Sequence, residues 1–170
     1  MNATDHFALF DLPRTFVLDA AQLEAAWKQV AQAVHPDRFA TRSAPERRVA
    51  MQWSAQANEA YRVLRQPLLR ARYLCELAGV DLQTETNTAM SPEFLVQQMS
   101  WHEQLDECLD DPQNIVAREA LSKDIALALV QCQQAVAEAL QAEQYPQAAS
   151  RIREWMFLDK LTTQLQTTEV

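Results

Sequence analysis

Glycine is nearly absent from this chain: Gly79 is the only one in 170 residues, where ordinary usage is about 7%. Phosphate-cradling loops, dinucleotide fingerprints and nucleophile elbows need glycines wherever backbone must approach a ligand or take positive φ. Tight hairpins and barrels lean on glycine too. An all-β or α/β chain is therefore excluded, and an all-α protein is expected. Cysteine and histidine are equally sparse. Cys75, Cys108 and Cys132 form no C-x-x-C, and His6, His35 and His102 form no H-x-x-x-H. An odd number of scattered thiols reads as a reducing compartment with buried, inert cysteines, and a structural zinc site lacks ligands at workable spacing. The opening MNATDHFALFDLP has no basic segment followed by an apolar core, so no secretory signal is expected. No apolar run approaches the roughly 18 residues of a membrane helix. Positive charge is short as well: 15 Lys+Arg against 23 Asp+Glu give −8, the wrong sign for a dedicated nucleic-acid binder. The expectation is a soluble cytoplasmic protein with no nucleic-acid or membrane partner.

What charge there is falls unevenly. Residues 1–77 hold ten Lys/Arg and eight Asp/Glu, whereas residues 78–170 hold five and fifteen. A near-neutral front joined to an acidic back predicts two modules with different partners. The polar, Thr-rich stretch VDLQTETNTAM over 80–90 lacks helical period and reads as part of a linker. The expected organisation is a first domain over 1–78, a linker over 79–90 and a second domain over 91–170.

Helix punctuation is clear without glycines. Phe7, Leu9, Phe10 and Leu12 cluster before Pro13, leaving room for a brief first helix. Asp19 can cap a helix carrying Leu23, Trp27, Val30, Ala31 and Val34 at spacings of three and four. Pro36 stops it, because the residue before a proline is pushed out of the α region, so His35-Pro36-Asp37 is placed on a loop. A further helix starts near Ser43, with Pro45 in its first turn and Glu46 completing a weak capping box. Trp53, Ala57, Ala60, Tyr61 and Leu64 make its inward stripe. Pro67 interrupts it, and a short helix through Leu74 ends at Gly79 as a C-cap. In the back half, Ser91-Pro92, Asp111-Pro112 and Tyr145-Pro146 each mark a helix start, which predicts an antiparallel three-helix bundle.

An HPD string is expected by chance in roughly one chain in a hundred of this length, and its surroundings are more informative than the string. Asp5-His6-Phe7-Ala8-Leu9-Phe10 precedes it; Asn58-Glu59-Ala60-Tyr61-Arg62-Val63-Leu64, then Pro67, Arg70, Ala71 and Tyr73, follow. Over about residues 5–75 this resembles the J-domain of the DnaJ superfamily, whose members bind DnaK-type chaperones and accelerate their ATP hydrolysis. The resemblance implies a chaperone-binding site at His35, Pro36 and Asp37, with Lys28 on the preceding helix and Arg38 after the loop. The residues agree with that role. Pro36 fixes a loop shape before docking, and Asp37 offers a carboxylate to a forked guanidinium. Gln29, Gln32 and Ala33 stand where J-domains usually carry further basic residues, so steering is weaker and a specialised chaperone is expected.

No glycine/phenylalanine-rich linker or four-site C-x-x-C region follows. On the helix from Phe94, 100° per residue puts Phe94, Trp101, Leu105 and Cys108 on one side. Leu95, Val96 and Met99 lie opposite, continued by Glu103 and Glu107. A bundle buries one face of each helix, so that second apolar face reads as a docking patch. The terminal Trp155-Met156-Phe157-Leu158-Asp159-Lys160-Leu161 reads as apolar on more than one side. A J-domain, an acidic three-helix bundle and a terminal F-L-D-K-L together resemble the HscB family, the co-chaperones of iron–sulfur cluster assembly. That resemblance implies two partners, the DnaK-type chaperone HscA and the cluster scaffold IscU. Its scaffold contacts correspond here to Leu95, Val96, Met99, Ser100, Glu103, Glu107 and Phe157. Ser100 stands where the family has an acidic residue, and Val96 is shorter than usual. The implied function is delivery of the scaffold to the chaperone with stimulation of its ATPase. The chain is then no enzyme and needs neither cofactor nor metal. A J-protein delivering unfolded clients to a general DnaK-type chaperone is the alternative. A metal-dependent enzyme using His102, Glu103 and Glu107 is disfavoured because His102 points roughly 80° away from the two carboxylates.

Overall fold

The computed structural model describes residues 5–82, 90–111 and 113–167. Among the described residues, seven α-helices and one 3₁₀ turn account for the regular structure: α1 (His6–Leu9), α2 (Ala20–Ala33), the 3₁₀ turn (Pro36–Phe39), α3 (Ala44–Arg65), α4 (Pro67–Leu77), α5 (Pro92–Asp110), α6 (Ile115–Gln141) and α7 (Tyr145–Thr167). Among the described residues there is no strand. The all-α expectation holds. Contacts divide the chain into two compact units, Met1–Leu74 and Cys75–Val170. Most of the expected 79–90 linker, residues 83–89, lies outside the described residues, as does Pro112.

In the first unit, α2 and α3 form a helical hairpin. Asp19 caps α2 as expected, its carboxylate accepting from Ala21 N at 2.8 Å, which satisfies one of the otherwise orphaned amides. Only Leu23 of the α2 stripe is buried; Trp27, Val30, Ala31 and Val34 are half-buried. At the start of α3, the backbone N–H and hydroxyl of Ser43 both donate to Glu46 Oε2, at 3.0 and 2.6 Å. Ala50, Ala57, Ala60 and Leu64 are its buried face. Trp53 is a correction: its indole is exposed. Trp27 contacts Asn58 and Tyr61, and that register sets Trp53 level with the last residues of α2, where the cover ends. Phe7, Phe10 and Leu12 complete this core. Arg70 is buried with them; it donates to Leu64 O at 2.5 Å and lies over the Phe16 ring.

In the second unit, α7 buries residues on all sides, among them Ile152, Trp155, Leu158 and Leu161. The terminal run is therefore consumed largely by the core, with Met156 and Phe157 half-buried. α5 starts as expected, with Ser91 Oγ accepting from Phe94 N at 3.2 Å and Pro92 in the first turn. The start of α6 is a second correction. Asp111 closes α5, and Asn114 caps α6, its side chain accepting from Ala117 N at 3.1 Å. An Asx residue competes for capping wherever it stands before an apolar run, and here the later one prevails. All three cysteines are buried and free. Burial pushes the Cys75 thiol up to about 11 and that of Cys132 up to about 12. Gly79 takes φ +75, and its N–H donates to Glu76 O at 2.9 Å, closing α4 as a left-handed cap.

Candidate functional site

The HPD segment is more ordered than the expected loop: Pro36–Phe39 is a turn of 3₁₀ helix with His35 as its N-cap. Proline at its first position explains this, since the ring sets φ near the helical value and removes an amide that would have no partner. His35 itself is extended, with ψ 129, as a residue before proline must be. Its Nδ1 accepts from Asp37 N at 3.3 Å, which leaves the Nε2 edge of the imidazole for a partner. The Asp37 carboxylate is exposed, 3.6 Å from His35 Nδ1, too far for a hydrogen bond. Arg38 folds back, and its Nη1 donates to Gln32 O at 3.1 Å. That carbonyl belongs to the last turn of α2, where a cation also complements the helix dipole. The turn is thus tied at both ends while the carboxylate stays free.

Lys28 lies on the exposed side of α2, paired to Glu24 at 2.6 Å. The hydrogen bond holds the Glu24 carboxyl below its usual range and raises the Lys28 ammonium. Trp27, Lys28, Ala31, Gln32, His35 and Arg38 line one shallow open groove. Four of the expected chaperone-site residues therefore share a region: Lys28, His35 and Arg38 in the groove, and Asp37 on the turn. Trp27 belongs to the same groove, which its place on the inward stripe of α2 does not reveal. Its indole N–H donates to Asn58 Oδ1 at 3.1 Å, and its ring stacks on Tyr61 at 4.6 Å.

On α5, the side opposite the core is bare. Leu95, Val96 and Met99 are 44%, 69% and 66% exposed, and Glu103 and Glu107 are exposed further along. Ser100 is half-buried, and its hydroxyl accepts from Gln104 Nε2 at 3.1 Å. Phe157 reaches the same helix from α7. It meets Phe94 edge-on at 5.8 Å and His102 edge-on at 5.5 Å, and stacks on Trp101 at 6.3 Å. Trp101 is buried, its indole N–H donating to Asp124 Oδ2 at 2.7 Å. Phe157 is thus supported by three rings while part of its surface stays open. The contribution of His102 is one that residue spacing did not reveal, because wheel angles within α5 say nothing of what α7 brings to it. Among the described residues no three His, Cys, Asp or Glu side chains stand close enough to hold a metal ion. None of the described helices is long and apolar enough to cross a membrane.

A family model described as the HSCB C-terminal oligomerisation domain matches residues 90–166. A protein of Bordetella pertussis, "Co-chaperone protein HscB homolog", is 56% identical over 170 residues, covering 99% of this chain and 98% of its own length. The chain belongs to the HscB family of co-chaperones. The solved structure of chaperone HscB from Vibrio cholerae is similar with a TM-score of 0.88 at 34% identity, covering 96% of this chain and 97% of that one. The human co-chaperone HscB shares the fold, with a TM-score of 0.89 at 24% identity over 100% of this chain and 84% of its own. In HscB terms the first unit is the J-domain and the second the helical C-terminal domain.

Proposed function

We propose that this chain binds the iron–sulfur cluster scaffold IscU through α5 and presents it to the DnaK-type chaperone HscA. There it stimulates ATP hydrolysis and so promotes cluster transfer. In this reading the J-domain spans 1–78, a linker 79–90 and the scaffold-binding domain 91–170. The chain works in the cytoplasm, carries out no chemistry of its own, and holds neither nucleotide nor cluster.

The observation that carries the reading is the bare apolar side of α5, facing away from a core that is complete without it. Burying Leu95, Val96 and Met99 contributes about 1.5–3 kcal/mol for each side chain taken fully from water. Association costs about 4–15 kcal/mol. Three partly exposed anchors, with the Phe157 edge and a rim from Ser100, Glu103 and Glu107, support a complex that forms and releases, as delivery requires. At the other site, His35, Pro36, Asp37, Lys28 and Arg38 have no bond to break or make. Stimulation therefore comes from tighter binding to the hydrolysing conformation of the chaperone than to its resting one.

The test is a double dissociation. His35→Gln abolishes stimulation of the chaperone ATPase while scaffold affinity persists. Met99→Ala with Phe157→Ala weakens scaffold binding at least tenfold by calorimetry and leaves stimulation by the chain alone intact. Normal stimulation by the His35 variant removes the J-domain site. Unchanged scaffold affinity removes the α5 patch, and suppression of aggregation of an unrelated unfolded protein by that same face favours the general-client alternative.

A further inference from the structure

A second apolar surface left uncovered in the second unit is on α6, and it shares no residue with the α5 face. Its core side carries Leu121, Ile125, Cys132 and Val136. At 100° per residue the outward side carries Ile115, Val116, Glu119, Ala120, Lys123, Ala126, Leu127 and Val130. All eight are exposed, the four branched aliphatics among them by 58% to 79%. A helix apolar on opposite sides is one that something covers on both. Glu119 and Lys123 are the only charges on this face, one turn apart, and neither pairs with another described residue.

We infer that this face pairs with the same face of a second copy of the chain, the two α6 helices running antiparallel about a twofold axis level with Leu121. Turning one copy end for end reverses its order of anion and cation. Glu119 then meets Lys123 of the second copy, and Lys123 meets its Glu119. The same register brings Ile115 onto Leu127 of the second copy and Val116 onto its Ala126, each contact occurring twice, as an isologous interface requires. A parallel pairing sets like charge on like and is rejected. The family description of this region as an oligomerisation domain agrees but names no surface. The pairing is independent of the function proposed above, since it uses none of the α5 or HPD residues. One helix face buries less than the roughly 800 Å² per partner of a standard interface, and the chain carries −8, so the dimer is weak and concentration-dependent.

Sedimentation equilibrium of the full chain, from micromolar to millimolar protein, tests this directly. The unmodified chain is expected to shift from monomer to dimer across that range. Glu119→Lys and Lys123→Glu, each alone, convert two attractive pairs into two repulsive ones and weaken dimerisation about tenfold or more. Mixed one to one they associate again, because a face with two cations meets a face with two anions. Circular dichroism checks that both variants fold, and surface charge changes on an exposed helix leave folding intact. A chain that stays monomeric throughout overturns the inference. So does a dimer indifferent to both reversals, a mixture that associates no better than its components, or a dimer abolished by Met99→Ala.

Discussion

Each unit carries a tryptophan whose indole N–H is satisfied by a side-chain oxygen on the neighbouring helix, yet the two are used differently. Trp27 in the first unit bonds Asn58 and stacks on Tyr61 with one face at the open groove. Trp101 in the second bonds Asp124 and lies buried against Phe94 and Phe157. The candidate site of the first unit is built from backbone, a turn held by His35 and Arg38, with shape as its asset. The candidate site of the second is built from side chains on a helix, with apolar area as its asset and the rings behind Phe157 as support. Shape is lost when a tether is cut; area is lost in proportion to what is trimmed.

The sharpest way to break the comparison is to truncate both indoles. Trp101→Ala removes a buried aromatic, two ring contacts and a hydrogen bond, and is expected to cost about 3–5 kcal/mol. Trp27→Ala removes a half-exposed ring and is expected to cost about 1–2 kcal/mol. Urea denaturation of the two variants reads the difference. Equal losses would mean that the two tryptophans do the same job.

The capping box of α3 tests the tethered unit at a smaller scale. Ser43→Ala is expected to cost on the order of 1 kcal/mol at neutral pH. Hydrogen bonds from the Ser43 hydroxyl and N–H hold the Glu46 carboxyl below its usual range. A carboxyl lowered in the folded state stabilises above its unfolded value, and that contribution disappears as pH falls through the folded one. The gap between the parent chain and Ser43→Ala therefore narrows on acidification through the carboxylate range. A gap constant with pH would detach Glu46 from the cap.

How much of this was legible in the residues follows from where each signal lives. Caps at Asp19, Ser43 and Ser91 and the stop at Gly79 are local chemistry, and the structure has all four. The bare α5 face is legible for the same reason, because a wheel needs only one helix. The failures are where two elements meet. Trp53 shares a wheel face with Ala57 and Leu64, but its burial depends on where α2 ends. Asp111 and Asn114 are both competent caps, and only the path of the turn decides between them. His102 looked like a failed metal ligand until α7 placed Phe157 on it. The order in the HPD turn is not legible because Pro36 reads as the end of one helix, whereas in the fold it also begins the next turn.

With glycine so scarce, the two units also differ in what stands at left-handed positions. Asp11 takes φ 53 after α1, and Glu143 takes φ 54 in the turn from α6 to α7, where Gln144 N donates to Ala139 O at 2.8 Å. A Cβ in that region costs about 1–2 kcal/mol, reduced for aspartate, whose short side chain bonds locally and tolerates the conformation. Glycine at the same place removes the cost but loses roughly 0.5–1 kcal/mol to its freer unfolded chain. For Glu143→Gly the first effect wins, and a stabilisation of about 0.5 kcal/mol is expected. For Asp11→Gly the two nearly cancel. Thermal unfolding of both variants beside the parent decides it: a higher midpoint for the Glu143 variant with little change for Asp11 supports the balance, and equal shifts would show that the aspartate carries the same backbone strain as the glutamate.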